Sequence, residues 1–324
     1  MIPIHQIPLP IPFPVGPINS YLILEPEPTL IDTGMNSDES WKTLETGMAA
    51  HGLKISDLTK VIITHPHVDH MGMARRIVEH SGAMVYGSEV ARDWIVNTRE
   101  MWRLRADYYE QHFLPYTALP NEIFEGMMGG MRQSAKTADF VPANRFTSFP
   151  DEGAIEIGSH TWDVLYMPGH TDYQVCFYQP QTKQFISADM LLLKAPTPIV
   201  ERPLAPNTPR TPGLPKLLES FDIVDQLDIE TVYPGHGPVF GDHRAVIEKQ
   251  LRRIEMRKNE CAQLIQDGCR TVNDILGQMY REVPPRYRFP ALGMVVGYLD
   301  LLKAEDRVDE AVVDDIWHYS LKGD

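Results

Sequence analysis

The chain has 324 residues, of which 43% are hydrophobic and 23% are charged, a composition that suits a globular protein with a large core. Its formal net charge of −14 argues against a general binder of nucleic acid or anionic membranes, because phosphate groups require a positive surface. Three scattered cysteines argue against a disulfide framework or a zinc finger and fit a reducing compartment. Because no segment has the pattern of a signal peptide or a membrane span, we expect a cytoplasmic protein.

The N-terminal part of the chain is predicted to alternate strands and helices. Prolines at alternate positions within residues 7–17 indicate an extended segment at the edge of a sheet, since proline cannot donate to a strand ladder. The pattern then predicts a hairpin over 21–24 and 29–31, a helix over 38–51, a strand over 60–64, a helix over 71–80 and a strand over 83–86.

Residues 88–135 are predicted to be wholly helical, and they interrupt the alternation as an insertion rich in Trp, Tyr, Phe and Met. We expect this insertion to cover the functional site. Any individual aromatic residue is expected to pack in the core, with a substrate-selecting apolar wall as the alternative. Arg103, Arg105 and Arg132 are expected to be solvated charges, although they could meet an anionic group.

The second half of the chain continues with short strands. These are predicted over 154–157, 161–166, 174–179 and 184–188. A proline-rich loop over 196–215 should lie near the site, and it carries Arg202 and Arg210 as weaker candidates for substrate contact. A helix over 214–227, a strand over 230–233, helices over 243–267, 271–282 and 289–303 and a two-stranded wing complete the predicted order.

The residues with the clearest chemistry lie directly after the strand 60–64. The segment His65-Pro66-His67-Val68-Asp69-His70 brings three imidazoles and a carboxylate to a strand end, where alternate side chains can point into one cavity. This places His65 and His67 on one metal ion, with Asp69 and His70 on a neighbouring ion. Imidazole suits zinc, iron, copper or nickel, and a carboxylate adds preference for harder ions. A solvated histidine-rich loop is the alternative.

Three later turns repeat this arrangement, each just after a predicted strand. They are Pro168-Gly169-His170-Thr171, Ser187-Ala188-Asp189 and Pro234-Gly235-His236-Gly237. The Pro-Gly pairs before the two histidines are typical of turns that fix a loop. One such motif alone would indicate an ordinary loop residue, but together with the histidine-rich segment they predict a metal site.

The motifs, taken in order over residues 15–245, resemble those of the metallo-β-lactamase fold superfamily; Leu30-Ile31-Asp32-Thr33-Gly34 is similar to its first motif. The resemblance implies an α/β four-layer αββα sandwich with the site at one edge between the sheets. It implies two metal sites, whose ligands are His65, His67 and His170 for the first and Asp69, His70 and His236 for the second. Asp189 would bridge both ions. Asp32 would orient the histidine-rich loop, with an ordinary strand-end turn as an equal alternative.

Two divalent ions about 3.5–4 Å apart can share a bridging water and lower its pKa toward neutrality, and the hydroxide then attacks an electrophilic carbonyl or phosphorus. We expect Zn²⁺, with iron or manganese as alternatives. Asp69 and Asp189 are the predicted catalytic carboxylates, and Asp69 could relay a proton. No serine or cysteine nucleophile is then required.

The predicted function is hydrolysis of a carboxylic ester, thioester or lactone, since hydroxyacylglutathione hydrolases (glyoxalase II) and acyl-homoserine lactonases share this ligand pattern. We expect a small acyl, ester or lactone substrate, no nucleic-acid or membrane partner, and a possible homodimer. A metal-dependent phosphodiesterase or ribonuclease is one alternative. An iron-dependent oxidoreductase similar to persulfide dioxygenases is another, and a non-enzymatic regulatory protein is a third.

The domain prediction is a catalytic domain over 1–245, with 88–135 as a helical cap, followed by a small helical domain over 246–324. This second domain resembles the winged-helix-like tail of lactamase-like endoribonucleases. However, its would-be recognition helix over 289–303 carries a single basic residue, whereas helices that read DNA need several polar or basic side chains. We therefore expect the helix to dock against the catalytic domain or a dimer partner.

Overall fold

The computed structural model describes residues 1–194, 198–284 and 289–323, without the side chain of Phe289. The first part of the chain forms a six-stranded sheet in the order β1-β2-β3-β4-β5-β6. Its strands are β1 (His5–Leu9), β2 (Ile18–Ile23), β3 (Thr29–Ile31), β4 (Lys60–Ile63), β5 (Met84–Ser88) and β6 (Phe146–Phe149). The first three strands are antiparallel, and β3 to β6 run parallel to one another.

A second sheet has five strands in the order β11-β10-β9-β8-β7. Its strands are β7 (Gly153–Ile157), β8 (His160–Tyr166), β9 (Val175–Gln179), β10 (Gln184–Ala188) and β11 (Thr231–Pro234). The strands pair antiparallel except for β10 and β11, which are parallel. An isolated bridge between Ile18 of β2 and His236, which follows β11, connects the two sheets at one edge.

Helices cover the outer face of each sheet. They are α1 (Asp38–Ala49), α2 (Val68–Met71), α3 (Ala74–Ser81), α4 (Arg92–Val96), α5 (Thr98–Tyr108), α6 (Asn121–Thr137), α7 (Gly213–Asp225), α8 (His243–Gln266), α9 (Val272–Met279) and α10 (Phe289–Ala304). Short 3₁₀ turns occur at Ile55–Asp57, Leu114–Thr117 and Ala143–Arg145, and a π-helical turn at Tyr109–Phe113.

Strand β4 shows that the first sheet is covered on both faces. All four of its residues are buried, as expected for a central parallel strand. Ile62 packs between the two sheets with Trp162 and Phe177, whereas its neighbours Val61 and Ile63 pack against the helices on the outer face. The resulting order of layers is helix, sheet, sheet, helix, and the predicted αββα sandwich is confirmed.

The C-terminal helices pack on the outer face of the second sheet. Side chains of α8, α9 and α10 share one hydrophobic cluster with Phe185 of β10 and with Leu217 and Phe221 of α7. A hairpin of β12 (Val308–Val313) and β13 (Ile316–Leu321) follows. The division at residue 245 and the winged-helix resemblance stay predictions. Within the described ranges, no helix is long and apolar enough to cross a membrane.

Most predicted elements occur within a few residues of their expected positions. The predicted helix over 71–80 is divided into α2 and α3, and the insertion 88–135 is almost entirely helical. Strand β6 was missed, because Phe-Thr-Ser-Phe is too short to show a period. Positions 196–197 of the proline-rich loop and position 324 of the wing lie outside the described residues.

Candidate metal centre

The histidine-rich segment lies at the end of β4, where the chain turns into α2. His65 and His70 are fully buried, and Asp69 is almost so. Together with the later motif residues they form three overlapping groups, in each of which the potential ligand atoms lie within 4.8 Å of one another. The groups are His65, His67 and His170; His65, His70 and Asp189; and Asp69, His70 and His236.

The three imidazoles of the first group converge on one point. Nδ1 of His67 lies 3.0 Å from Nε2 of His65 and 2.9 Å from Nε2 of His170. Such close nitrogen atoms are an arrangement that a shared cation stabilises, since neutral imidazole is a common ligand of transition metals. The sequence predicted this set, and the structure brings all three side chains together.

Asp189 follows β10, belongs to the second group and lies between the first and the third. Its carboxylate is 3.4 Å from Nε2 of His70 and 3.5 Å from Nε2 of both His170 and His236. Asp69 belongs to the third group, and its carboxylate lies 3.5 Å from Nε2 of His236. This geometry matches the bridging position that the family resemblance implied for Asp189, although the ligand assignment itself stays a prediction.

A glycine is required beside Asp189 because the space is fully used. A Cβ atom on Gly235 would lie 2.0 Å from Oδ1 of Asp189 and 3.0 Å from Cε1 of His70. The Gly235 amide donates to the carbonyl of Ala188 at 2.7 Å, which holds the loop after β11 against the loop after β10. The Pro-Gly turn therefore serves to bring His236 and Asp189 into contact.

Asp32 contacts the histidine-rich loop through three hydrogen bonds. Its carboxylate accepts from the Thr64 amide at 2.9 Å, the Thr64 hydroxyl at 2.7 Å and Nδ1 of His70 at 2.7 Å. Since Nδ1 of His70 donates to Asp32, Nε2 is the ring atom that faces the site and would bind a metal ion once its own proton is displaced. Of the two interpretations of Asp32, the structure favours the one in which it orients the loop.

His236 is oriented in a similar way by backbone carbonyls. Its Nδ1 donates toward the carbonyls of Gly16 and Pro17, at 3.2 and 3.0 Å, so Nε2 faces Asp69 and Asp189. The loop that carries His236 is fixed from the opposite sheet by residues that the sequence did not indicate.

These residues are Asn19 and Tyr21 of β2. The side-chain Nδ2 of Asn19 donates to the carbonyls of Pro234 and Gly237, at 2.8 and 2.7 Å. The backbone N–H of Asn19 donates to the carbonyl of Gly235 at 2.7 Å. The Tyr21 hydroxyl donates to Pro234 at 2.6 Å. The recipients are backbone carbonyls more than 200 positions away, so no local signal identified the donors.

The histidines of the site differ in their protonation state in the metal-free protein. Burial lowers the pKa of His65 and His67 well below the usual value, so both are neutral near pH 7. Burial also opposes protonation of His70 and His236, but the Asp189 carboxylate outweighs it, raising the pKa of His70 well above its usual value and that of His236 to about 10. These two imidazoles carry protons that a bound cation must displace.

The residues fit a pair of divalent ions. Among the described residues, Nε2 of His70 and Oδ1 of Asp189 are buried without a hydrogen-bond partner and lie 3.4 Å apart. Buried polar atoms are normally satisfied, and orphan imidazole and carboxylate atoms that face one another are characteristic of a metal site. Five imidazoles and two carboxylates supply enough ligands for two ions.

A cavity of about 260 Å³ opens beside His67 and Asp69. The sequence predicted that three arginines of the insertion are solvated, and two of them are. Arg103 and Arg132 are exposed and paired with surface carboxylates. Arg105 differs, since it is buried at 5% exposure and lines the cavity. In the proline-rich loop, Arg210 binds Asp300 of α10 through two hydrogen bonds and is therefore occupied by a structural contact.

Comparison with known proteins agrees with the geometry. The model of the family described as "Metallo-beta-lactamase superfamily" matches residues 13–236. The probable metallo-hydrolase YqjP of Bacillus subtilis is 28% identical over 303 residues, which cover 93% of this chain and 92% of that protein. The β-lactamase-like protein 2 homolog of Caenorhabditis elegans is 21% identical over 287 residues, which cover 88% of this chain and 78% of its own.

Two solved structures share the fold along nearly the whole chain. The metallo-β-lactamase family protein TTHA1429 of Thermus thermophilus has a TM-score of 0.80 and 23% identity, covering 98% of both chains. A β-lactamase domain protein from Burkholderia ambifaria has a TM-score of 0.78 and 21% identity, covering 98% of this chain and 91% of its own. The C-terminal helices and hairpin are thus included in the shared fold.

Proposed function

This chain belongs to the metallo-β-lactamase superfamily and is a metal-dependent hydrolase, and from that premise we propose that it cleaves small carboxylic esters, thioesters or lactones. The observation that carries the proposal is the convergence of seven histidine and aspartate side chains beside a largely apolar cavity. An apolar cavity suits an acyl group, and the net charge of −14 disfavours a polyanionic substrate.

Within the proposal, His65, His67 and His170 hold one divalent ion, and Asp69, His70 and His236 hold a second. Asp189 ligates both, since its Oδ2 lies 3.5 Å from Nε2 of both His170 and His236, which belong to different ions. When bound, such ions lower the pKa of water and polarise a substrate carbonyl oxygen. Zinc is the proposed metal because imidazole ligands dominate the set, while the carboxylates also allow iron or manganese.

The protein itself contributes orientation and a dry environment. Asp32 fixes the tautomer of His70, and the backbone carbonyls of residues 16 and 17 fix that of His236. Asp69 lines the cavity and lies 3.5 Å from His236, where its carboxylate can hold or pass on a proton during hydrolysis. The apolar side chains around the cavity exclude bulk water and so strengthen these electrostatic contacts.

Elemental analysis of freshly purified protein, combined with a substrate panel, tests the proposal. We expect two equivalents of zinc and turnover of esters, thioesters or lactones. Turnover of bis(p-nitrophenyl) phosphate or RNA alone would favour the phosphodiesterase alternative, and iron with oxygen consumption would favour the oxidoreductase. Two bound equivalents of metal together with no turnover of any substrate in the panel would favour a regulatory protein.

A matched pair of variants connects the activity with the site. Asp189→Asn should lower both metal content and turnover, because it removes the proposed shared ligand. Asp163→Asn changes an exposed aspartate on β8 and should leave both at wild-type values. Full activity in the Asp189 variant would overturn the bridging assignment.

A further inference from the structure

The helical insertion supplies four of the eleven residues that line the cavity beside the proposed metal centre, namely Trp94, Trp102, Arg105 and Met131. The cavity volume of about 260 Å³ suits a small acyl group. The apolar lining consists of Phe13, Pro66, Val68, Trp94, Trp102, Met131 and Ile199. Phe13 and Val68 are roughly half exposed and lie at the mouth, whereas Trp94 and Met131 are buried. The wall nearest the insertion also contains a positive charge, Arg105.

Arg105 is held in place by two kinds of contact. Its guanidinium lies 4.3 Å from the ring centre of Trp94 and 5.1 Å from that of Trp102, within the range of a cation–π interaction. Its Nη2 donates to Glu201, whose side chain is 1% exposed. Glu201 in turn accepts from the Thr171 hydroxyl at 2.8 Å. The orientation of the guanidinium is therefore fixed before any ligand binds.

The guanidinium has more donors than the protein uses. Within the described part of the chain, its one hydrogen bond goes from Nη2 to Glu201, and Nε is enclosed without a partner, so Nη1 is the group left to meet a ligand in the cavity. A guanidinium carries five N–H donors, and leaving buried donors unsatisfied costs stability. An ion pair that served only to attach α5 to residue 201 would not need to lie in the wall of a cavity beside His67.

We propose that Arg105, held by Glu201, is the substrate anchor of this cavity and donates a hydrogen bond to an acceptor oxygen on the acyl group of an uncharged substrate. The inference rests on the proposed ester, thioester or lactone hydrolysis. Glu201 already neutralises Arg105, so a carboxylate on the substrate would add an unmatched negative charge near Glu201 and Asp69. A ketone, amide or hydroxyl oxygen satisfies the donors without that charge.

Four phenyl esters of similar length test the anchor. They are phenyl hexanoate, phenyl 4-oxohexanoate, phenyl 5-oxohexanoate and phenyl hydrogen glutarate, which differ in having no acceptor, a ketone or a carboxylate. A hydrogen bond from a charged donor predicts that kcat/KM for one of the ketone esters exceeds that for phenyl hexanoate roughly 10-fold or more. The glutarate ester should have the lowest kcat/KM of the four. A wild-type protein with no preference for either ketone overturns the proposal.

Variants separate anchoring from structure. Removing both members of a buried ion pair together avoids an unpaired charge, so the double variant Arg105→Met/Glu201→Gln is the appropriate test. The ketone-to-hexanoate ratio should fall to about 1, chiefly through KM of the ketone ester. Glu201→Gln alone keeps the guanidinium but removes its counter-charge. It should therefore raise kcat/KM for the glutarate ester relative to kcat/KM for the other three esters. Arg103→Met, an exposed change on the same helix, should keep the wild-type ratios.

Each failure is distinguishable. If the double variant keeps the ketone preference, Arg105 is not the anchor and the proposed hydrolase function still stands. If wild-type protein hydrolyses neither these esters nor the thioesters and lactones of the wider panel, the proposed function fails and the anchor fails with it.

Discussion

Replacing Asp32 with asparagine tests the support of the metal site while preserving its shape. The residue has a φ of +57°, a left-handed conformation that asparagine tolerates almost as well as aspartate. The amide oxygen can keep the hydrogen bond from the Thr64 backbone at 2.9 Å. Its NH₂ group, however, replaces the oxygen that accepts from the Thr64 hydroxyl and from His70, both at 2.7 Å.

The magnitude follows from those two contacts. His70 is fully buried and no longer finds an acceptor for Nδ1–H, so either the hydrogen bond is lost or the ring changes tautomer. At about 1–3 kcal/mol for each of the two unsatisfied buried partners, the free energy of unfolding of the metal-free protein should fall by about 2–6 kcal/mol. A ring that loses its Nδ1 proton keeps the proton on Nε2, the atom that must bind the metal ion, and the loss of such a support typically weakens metal binding about 10–100-fold.

Two assays read these effects separately. Urea unfolding in the presence of a chelator reports the stability of the metal-free fold, and competition with a chromogenic chelator reports zinc affinity. The exposed Asp163→Asn variant should match the wild type in both. Zinc affinity that is unchanged in Asp32→Asn, whatever the stability, would refute the reasoning that Asp32 orients His70 for a metal ion.

Three further predictions concern the site and its surroundings. Because the Asp189 carboxylate raises the pKa of His236 to about 10 from an unfolded value near 6.5, the protonated pair stabilises the metal-free fold fully below about pH 6.5, and chelated protein should lose stability in urea as pH rises toward 10; a flat profile would contradict this. Gly235→Ala should lower metal content and activity because its Cβ would lie 2.0 Å from a carboxylate oxygen, whereas Gly129→Ala on open helix α6 should raise the free energy of unfolding by about 0.5–1 kcal/mol; equal effects of the two would refute the steric argument. Arg210→Ala leaves the mostly buried carboxylate of Asp300 in α10 unpaired and should lower the free energy of unfolding by about 1.5–3 kcal/mol, against less than about 1 kcal/mol for Arg252→Ala in an exposed pair; comparable losses would count against it.

The sequence predicted the parts of the site that depend on local pattern. His65, His67 and His70 are close in the chain and follow a β-branched strand, and His170, Asp189 and His236 each occupy a turn just after a strand. Since strand ends meet at the same edge of a layered fold, these positions were expected to converge. The helices of the insertion were equally visible, because they are long and amphipathic.

Other parts depend on contacts that no local pattern records. Asn19 acts on carbonyls of a loop 215 and 218 positions away, and its residue type carries no signal of that role. Arg105 was expected to be solvated like its neighbour Arg103, since burial of arginine is rare. It is buried because Glu201, 96 positions later, neutralises it and two tryptophans cover it, and only the tertiary fold brings these groups together.

The most direct test of the central claim is anomalous diffraction, at the zinc absorption edge, from crystals of the zinc-loaded protein. The proposed arrangement predicts two peaks about 3.5–4 Å apart, with Asp189 close to both. His65, His67 and His170 should lie about 2.0–2.1 Å from one peak, and His70 and His236 at the same distance from the other. A single peak, or peaks away from these side chains, would contradict the proposed binuclear centre.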